Sequence, residues 1–174
     1  MLGTNDFTVE FEGPENGWLE IYFKIEGKKP FLIEISDAYS PCPFLKKWLE
    51  NMLDFSTVTS ESINIDCEQY NVVLSYDYIG YNDRDDCNGA VALIQIGSDI
   101  DENNISKEYE AIIQMVVPIH LFVSKFYYSL KDYIYLKRRI FSKQWRLPNS
   151  DYFEFRKFIS SVVSKTIEQK LGIH

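Results

Sequence analysis

Histidine is nearly missing from this chain of 174 residues, which holds only His120 and His174. A nucleophile–base pair or a transition-metal centre ordinarily draws on histidine, or on cysteines at ligand spacing. Cysteine offers no such spacing: Cys42, Cys67 and Cys87 form an odd set without a C-x-x-C pair. That pattern predicts reduced thiols in a cytoplasmic protein rather than a disulfide framework. There is no glycine-rich phosphate loop, no G-x-S-x-G and no H-E-x-x-H, and Gly3, Gly13 and Gly17 read as turn glycines. No apolar run is long enough to cross a bilayer, because Gln114, Pro118 and His120 interrupt the best one. The opening residues, with Asp6, Glu10 and Glu12, do not form a basic region followed by an apolar core, so no secretory signal is expected.

What the chain has in quantity is acid and aromatic rings. The formal net charge is -8 and aromatics make up 16% of the residues. The charge argues against general binding to nucleic acid or an anionic membrane, and the rings predict a core built on Phe and Tyr. The charge is also unevenly placed. Up to Glu110 there are 22 Asp and Glu against 7 Lys and Arg, a net of -15, whereas Ala111 onward carries 4 against 11, a net of +7. Either basic helices pack over an acidic sheet and compensate it, or one face stays acidic and recruits a basic partner.

Alternation sets the strands. Phe7, Val9 and Phe11 share one side of Phe7–Glu12, opposite Thr8, Glu10 and Glu12. Trp18–Ile25 and Phe31–Ser36 alternate likewise, and the turns Gly13–Gly17 and Gly27–Pro30 join the three into a meander with one wet face. Ile63–Cys67, Tyr70–Tyr78, Ala90–Gly97 and Glu108–Val117 complete the set. Ala90–Gly97 is apolar on both sides and should be central.

Three helices are expected. Ser40-Pro41 opens the first, with Phe44, Leu45, Trp48, Leu49, Met52 and Leu53 on its apolar side. The second runs from Pro118 to Trp145, roughly 40 Å at ~1.5 Å per residue. Its stripe is Phe122, Phe126, Leu130, Tyr133 and Phe141, and Lys137, Arg138, Arg139 and Lys143 sit where cations suit the carbonyl end of the macrodipole. The third starts at Ser150 or Asp151, carries Phe155, Phe158, Ile159, Val162, Val163, Ile167 and Leu171, and stops at Gly172. The prediction is a single α+β domain over residues 1–174. It has a largely antiparallel sheet of six to seven strands and three helices, the last two long and packed against the sheet.

Four constellations are candidates for chemistry or contact. Asp99, Asp101, Asn103 and Glu110 fall at places one, three, five and twelve of an EF-hand-like loop, but strand patterns rather than helices flank them, which favours an acidic hairpin loop over calcium. Asp83, Asp85 and Asp86 form a second acidic cluster without a distal ligand, so no metal site and no cofactor are expected. His120 beside Ser124 has base-and-hydroxyl spacing, which a structural helix residue explains equally well. Carboxylate pairs such as Glu10/Glu12 or Glu20/Glu34 would serve a hydrolase if they met across strands. On the far side of the long helix lie Tyr128, Asp132, Tyr135, Arg139, Ser142 and Arg146, residue types enriched where proteins meet; alternatively, the tyrosines pack under the last helix.

The segment Ser36–Glu50, SDAYSPCPFLKKWLE, resembles a stretch of small bacterial proteins of unknown function, in which a strand ends in Asp and a Pro-Phe helix carries Trp-Leu-Glu. In general character the chain is also similar to immunity proteins that neutralise toxic nucleases. That similarity implies a non-catalytic, toxin-neutralising interaction protein, expected in the cytoplasm. Read from the residues themselves, either the acidic sheet edge and loops, with Asp83, Asp85 and Asp86, or the stripe Tyr128, Tyr135, Arg139 and Arg146 would contact a basic protein partner. The alternatives are a carboxylate- or metal-dependent hydrolase and a protein that binds a small ligand between sheet and helices.

Overall fold

The computed structural model describes residues 2–3, 6–15, 18–36, 41–54, 58–66, 71–81, 90–99, 110–136 and 163–172. In chain order the elements are β1 (Leu2–Gly3), β2 (Phe7–Glu15), β3 (Trp18–Ile25), β4 (Phe31–Ser36), α1 (Pro41–Met52), β5 (Ser60–Asp66), β6 (Asn71–Tyr81), β7 (Ala90–Asp99), β8 (Glu110–Pro118), α2 (Ile119–Leu136) and α3 (Lys165–Lys170). The fold is α+β, as the patterning implies.

The strands do not form one sheet. β2, β3 and β4 make a three-stranded antiparallel sheet, and β5 to β8 make a separate antiparallel sheet in sequential order. β1 adds to the outer side of β8 in parallel, with Leu2 opposite Met115. Alternation reports which side of a strand is buried but not which strand it bonds, so a single six- to seven-stranded sheet was the simpler expectation. Here the inner faces of both sheets close on a common helical filling. Phe7, Val9, Phe11, Leu19, Ile21, Phe23, Ile33 and Ile35 from the smaller sheet share one core with Leu74, Tyr76, Ile94, Ile96, Met115 and Val117 from the larger.

Aromatic rings do the joining. α2 touches β2 as well as β7 and β8. Phe122 stacks on Phe7 at 5.7 Å between centroids, and Phe126 meets Phe11 edge-on at 5.4 Å. Trp48 of α1 lies edge-on to Phe122 at 5.9 Å and 6.1 Å from Tyr76 of β6, bridging helix layer and larger sheet. The second face of the larger sheet is also covered in part. Val73 and Ser75 are buried there and Leu93 and Gln95 half-buried, which fits the prediction that β7 is central.

Two helix boundaries differ from the prediction. Pro118 is the last residue of β8, paired with Val91, rather than the first of α2. A helix unbroken from Ser150 to Leu171 does not exist, because Ser164 is extended, at φ -115° and ψ 111°, and caps a new helix of 6 residues. The expected continuation of α2 to Trp145 and the segment from Ser150 to Val162 lie outside the described residues.

Candidate interaction surface

The side of β2, β3 and β4 turned away from the core is where carboxylates gather. Register places Glu12 opposite Glu20, and Glu20 opposite Glu34, so three glutamates stand in one row across three strands. Glu10 lies opposite Tyr22 on the same side and is ion-paired with Lys24. Tyr22 donates its hydroxyl hydrogen to Glu20 Oε2 at 2.7 Å. That bond, followed by burial and by the negative charges of Glu20, Glu12 and Glu34, pushes the Tyr22 phenol up to about 12. Its phenolate would have to form among three carboxylates. Of the two sequence-predicted carboxylate pairs, Glu20/Glu34 meets across strands, whereas Glu10 and Glu12 are neighbours on one strand and each faces a different partner. Among the described residues, no group of three or more His, Cys, Asp or Glu is placed to hold a metal ion.

The far side of α2 is divided. Tyr135 is 49% exposed and Asp132 is exposed, as an interaction stripe requires, while Tyr128 is half-buried with its ring 6.0 Å from that of Tyr127. Arg139 and Arg146 lie outside the described residues, as do Asp83, Asp85 and Asp86. The last helix docks through other side chains. The buried Tyr127 hydroxyl accepts the Ser164 N–H at 2.9 Å and reaches Glu168 Oε1 at 3.3 Å. Lys131 pairs with the same carboxylate, and the Ser164 hydroxyl donates to Glu50 of α1 while accepting the Ile167 N–H at 3.1 Å. The bond from Lys131 holds the Glu168 carboxyl below its ordinary range. This latch was hidden in the sequence because Ser164 falls inside an apolar periodicity that reads as continuous helix. Its one local signal is a serine three residues before Ile167, the position of a cap that accepts the N3 amide.

The remaining candidates resolve simply. The Ser124 hydroxyl donates to the Leu121 carbonyl at 3.0 Å, an ordinary back-bond within a helix. Asp99 closes β7 and Glu110 opens β8, two antiparallel strands, so the flanks of that loop are strands; Asp101 and Asn103 lie outside the described residues. Cys42 is buried without a disulfide partner, and burial pushes its thiol up to about 12.

Two clefts run along the line where β2 passes α2. One, of about 530 Å³, is lined by Asp6, Phe7, Thr8, Lys24 and Lys125; the other, of about 300 Å³, by Val9, Glu10, Phe11, Glu12, Ser129 and Asp132. Comparison of the chain with protein-family models, with curated proteins and with solved structures finds no match. Among the described residues, no helix is long and apolar enough to cross a membrane.

Proposed function

We propose that this chain is a non-catalytic protein-interaction module that binds a basic protein partner through the acidic side of its three-stranded sheet, in the manner of a toxin-neutralising protein. The observation that carries this reading is the row Glu12, Glu20 and Glu34. Like charges directly opposite one another destabilise a sheet by a few tenths of a kcal/mol, up to about 1 kcal/mol per pair. A cationic partner would convert that repulsion into attraction. Acid on an open surface also steers encounter, raising the association rate more than the lifetime of the complex.

The test uses a partner captured from the native host at low ionic strength and then purified. Its association rate should fall steeply with added salt, and joint replacement of Glu12, Glu20 and Glu34 by Gln should weaken binding by about tenfold or more. The single change Glu12→Gln should in addition stabilise the free protein by roughly 0.2–1 kcal/mol in urea denaturation. Recovery of no partner, or of one indifferent to both salt and the triple replacement, would overturn the proposal.

A further inference from the structure

Register lines up every second residue of β2, β3 and β4, so the outward side of the smaller sheet is ordered in rows. One row is Glu12, Glu20 and Glu34; the row beside it is Glu10, Tyr22 and Leu32. The members of this second row do different things. Glu10 is ion-paired with Lys24, so that end of the row already holds an ammonium group. Tyr22 reaches along β3 to the acid row, and its bond to Glu20 Oε2 at 2.7 Å tethers the half-buried ring beside the carboxylates. Leu32 is 38% exposed; the other exposed large hydrophobic side chains among the described residues, Phe44, Ile79 and Tyr135, stand on α1, β6 and α2. Glu12 and Glu34 are exposed as well. Acid, ring and aliphatic surface thus lie open together on this side.

Carboxylates alone would suit any cation. The ring and the leucine, one row away at roughly 7 Å, narrow the choice. A guanidinium is planar and weakly hydrated, forks onto carboxylates and stacks on aromatic faces, whereas an ammonium is a compact, strongly hydrated point charge. We propose that the partner is recognised through arginine. Its guanidinium stacks on the Tyr22 ring and forks onto Glu20, with Glu12 and Glu34 flanking the charge. The methylene stem, and an apolar residue next to the arginine, cover Leu32. Charge complementarity calls for a cation, and the tethered ring decides which cation. A second copy of this chain is the wrong occupant, because four glutamates against the single Lys24 on this side would repel their own image. The proposal rests on the basic-partner reading and names the side chain that the acidic side selects.

The probes are two capped peptides of one design, Gly-Arg-Leu-Arg-Gly and Gly-Lys-Leu-Lys-Gly, titrated into the protein by NMR. The arginine peptide should bind about fivefold or more tightly than the lysine peptide, and it should shift the Tyr22 ring and Leu32 methyl signals. Tyr22→Leu should bring the arginine peptide down to the level of the lysine peptide. Lysine-peptide binding should stay within about twofold in that variant, as expected where only screened surface charge is read, which also shows that the sheet is intact. Tyr22→Phe keeps a ring and should keep the preference. Three results overturn the proposal: equal binding of the two peptides, a preference that survives in Tyr22→Leu, or a preference with the Tyr22 ring signals unmoved. The two readings separate cleanly. If the peptides bind alike and the triple glutamine variant loses both, the acidic-side reading stands and arginine selection falls. If neither peptide binds, arginine selection falls and the acidic-side reading still answers to the captured partner.

Discussion

Tyr127 shows how one hydroxyl holds two distant parts of a chain. It accepts from a backbone amide and also reaches a carboxylate, both on the segment that carries α3. Tyr127→Phe keeps the ring in the core and strands the buried Ser164 N–H, which should cost about 1–3 kcal/mol in urea denaturation. Tyr22 makes the opposite kind of reporter, exposed to its surroundings electrostatically rather than through packing. Its phenol lies above the ordinary value of 10, at about 12. A group whose pKa is raised by folding stabilises the protein fully below the unfolded value and loses that contribution as pH rises through the folded one. Stability should thus decline between about pH 10 and 12 through this residue. A carbon-13 titration of the tyrosine ring should show Tyr22 moving back toward 10 in Glu20→Gln, which replaces the charged acceptor of its hydrogen bond by a neutral amide oxygen and removes one of the three charges. A titration unmoved by that change would mean the carboxylates do not sit around it.

At the scale of elements, α3 is too short to persist by its own propensity, since isolated helices below ~12–15 residues are marginal in water. It stands on its cap and on the residues it docks against. Ser164→Ala removes the side-chain acceptor for Ile167 N–H and the donor to Glu50. It should cost about 0.5–2 kcal/mol, and hydrogen exchange should quicken in Lys165–Lys170 before it quickens in β6 or β7. The same helix explains what reading the chain by pattern achieves and misses. Val163, Ile167 and Leu171 keep helical spacing on both sides of a break that a single serine imposes, so periodicity alone runs through it. The meander was legible because alternation and turn residues agree. Gly27, at φ 73°, and the bond from Lys28 N–H to the Ile25 carbonyl at 3.0 Å form the turn that Gly27-Lys28 announces. That the strands fall into two sheets was not legible, because alternation in Phe31–Ser36 reports which side of β4 is buried and not which strands lie beside it. The acidic row was half legible. The outward glutamates are plain in the alternation, yet their alignment depends on a register that the turns set.

For the molecule as a whole, the asymmetry of charge has a geometric counterpart. The acidic sheet presents its carboxylates outward, and three of the four described lysines from the basic part of the chain are engaged within the structure. Lys125 is on the Phe7 carbonyl, Lys131 on Glu168, and Lys170 on the Leu53 carbonyl and near Asp54. These contacts are local to the helices and their neighbours, and the Glu12, Glu20 and Glu34 row stands on the outward side of the smaller sheet. The salt dependence expected of partner binding belongs to the sheet, and the salt bridges of the helices should contribute little to it, because partly buried pairs are screened less than exposed charges.

The parallel pairing of β1 with β8 has a consequence in time. Leu2 lies opposite Met115, so β1 finds its place only once β8 exists. Local hairpins such as β2–β3 and β6–β7 can close early, while this closure carries the loop entropy of nearly everything between. During synthesis β1 has no β8 to pair with until more than a hundred further residues, about the separation of Leu2 and Met115, have emerged. β1 is in this sense placed after most of the strands that follow it in the chain.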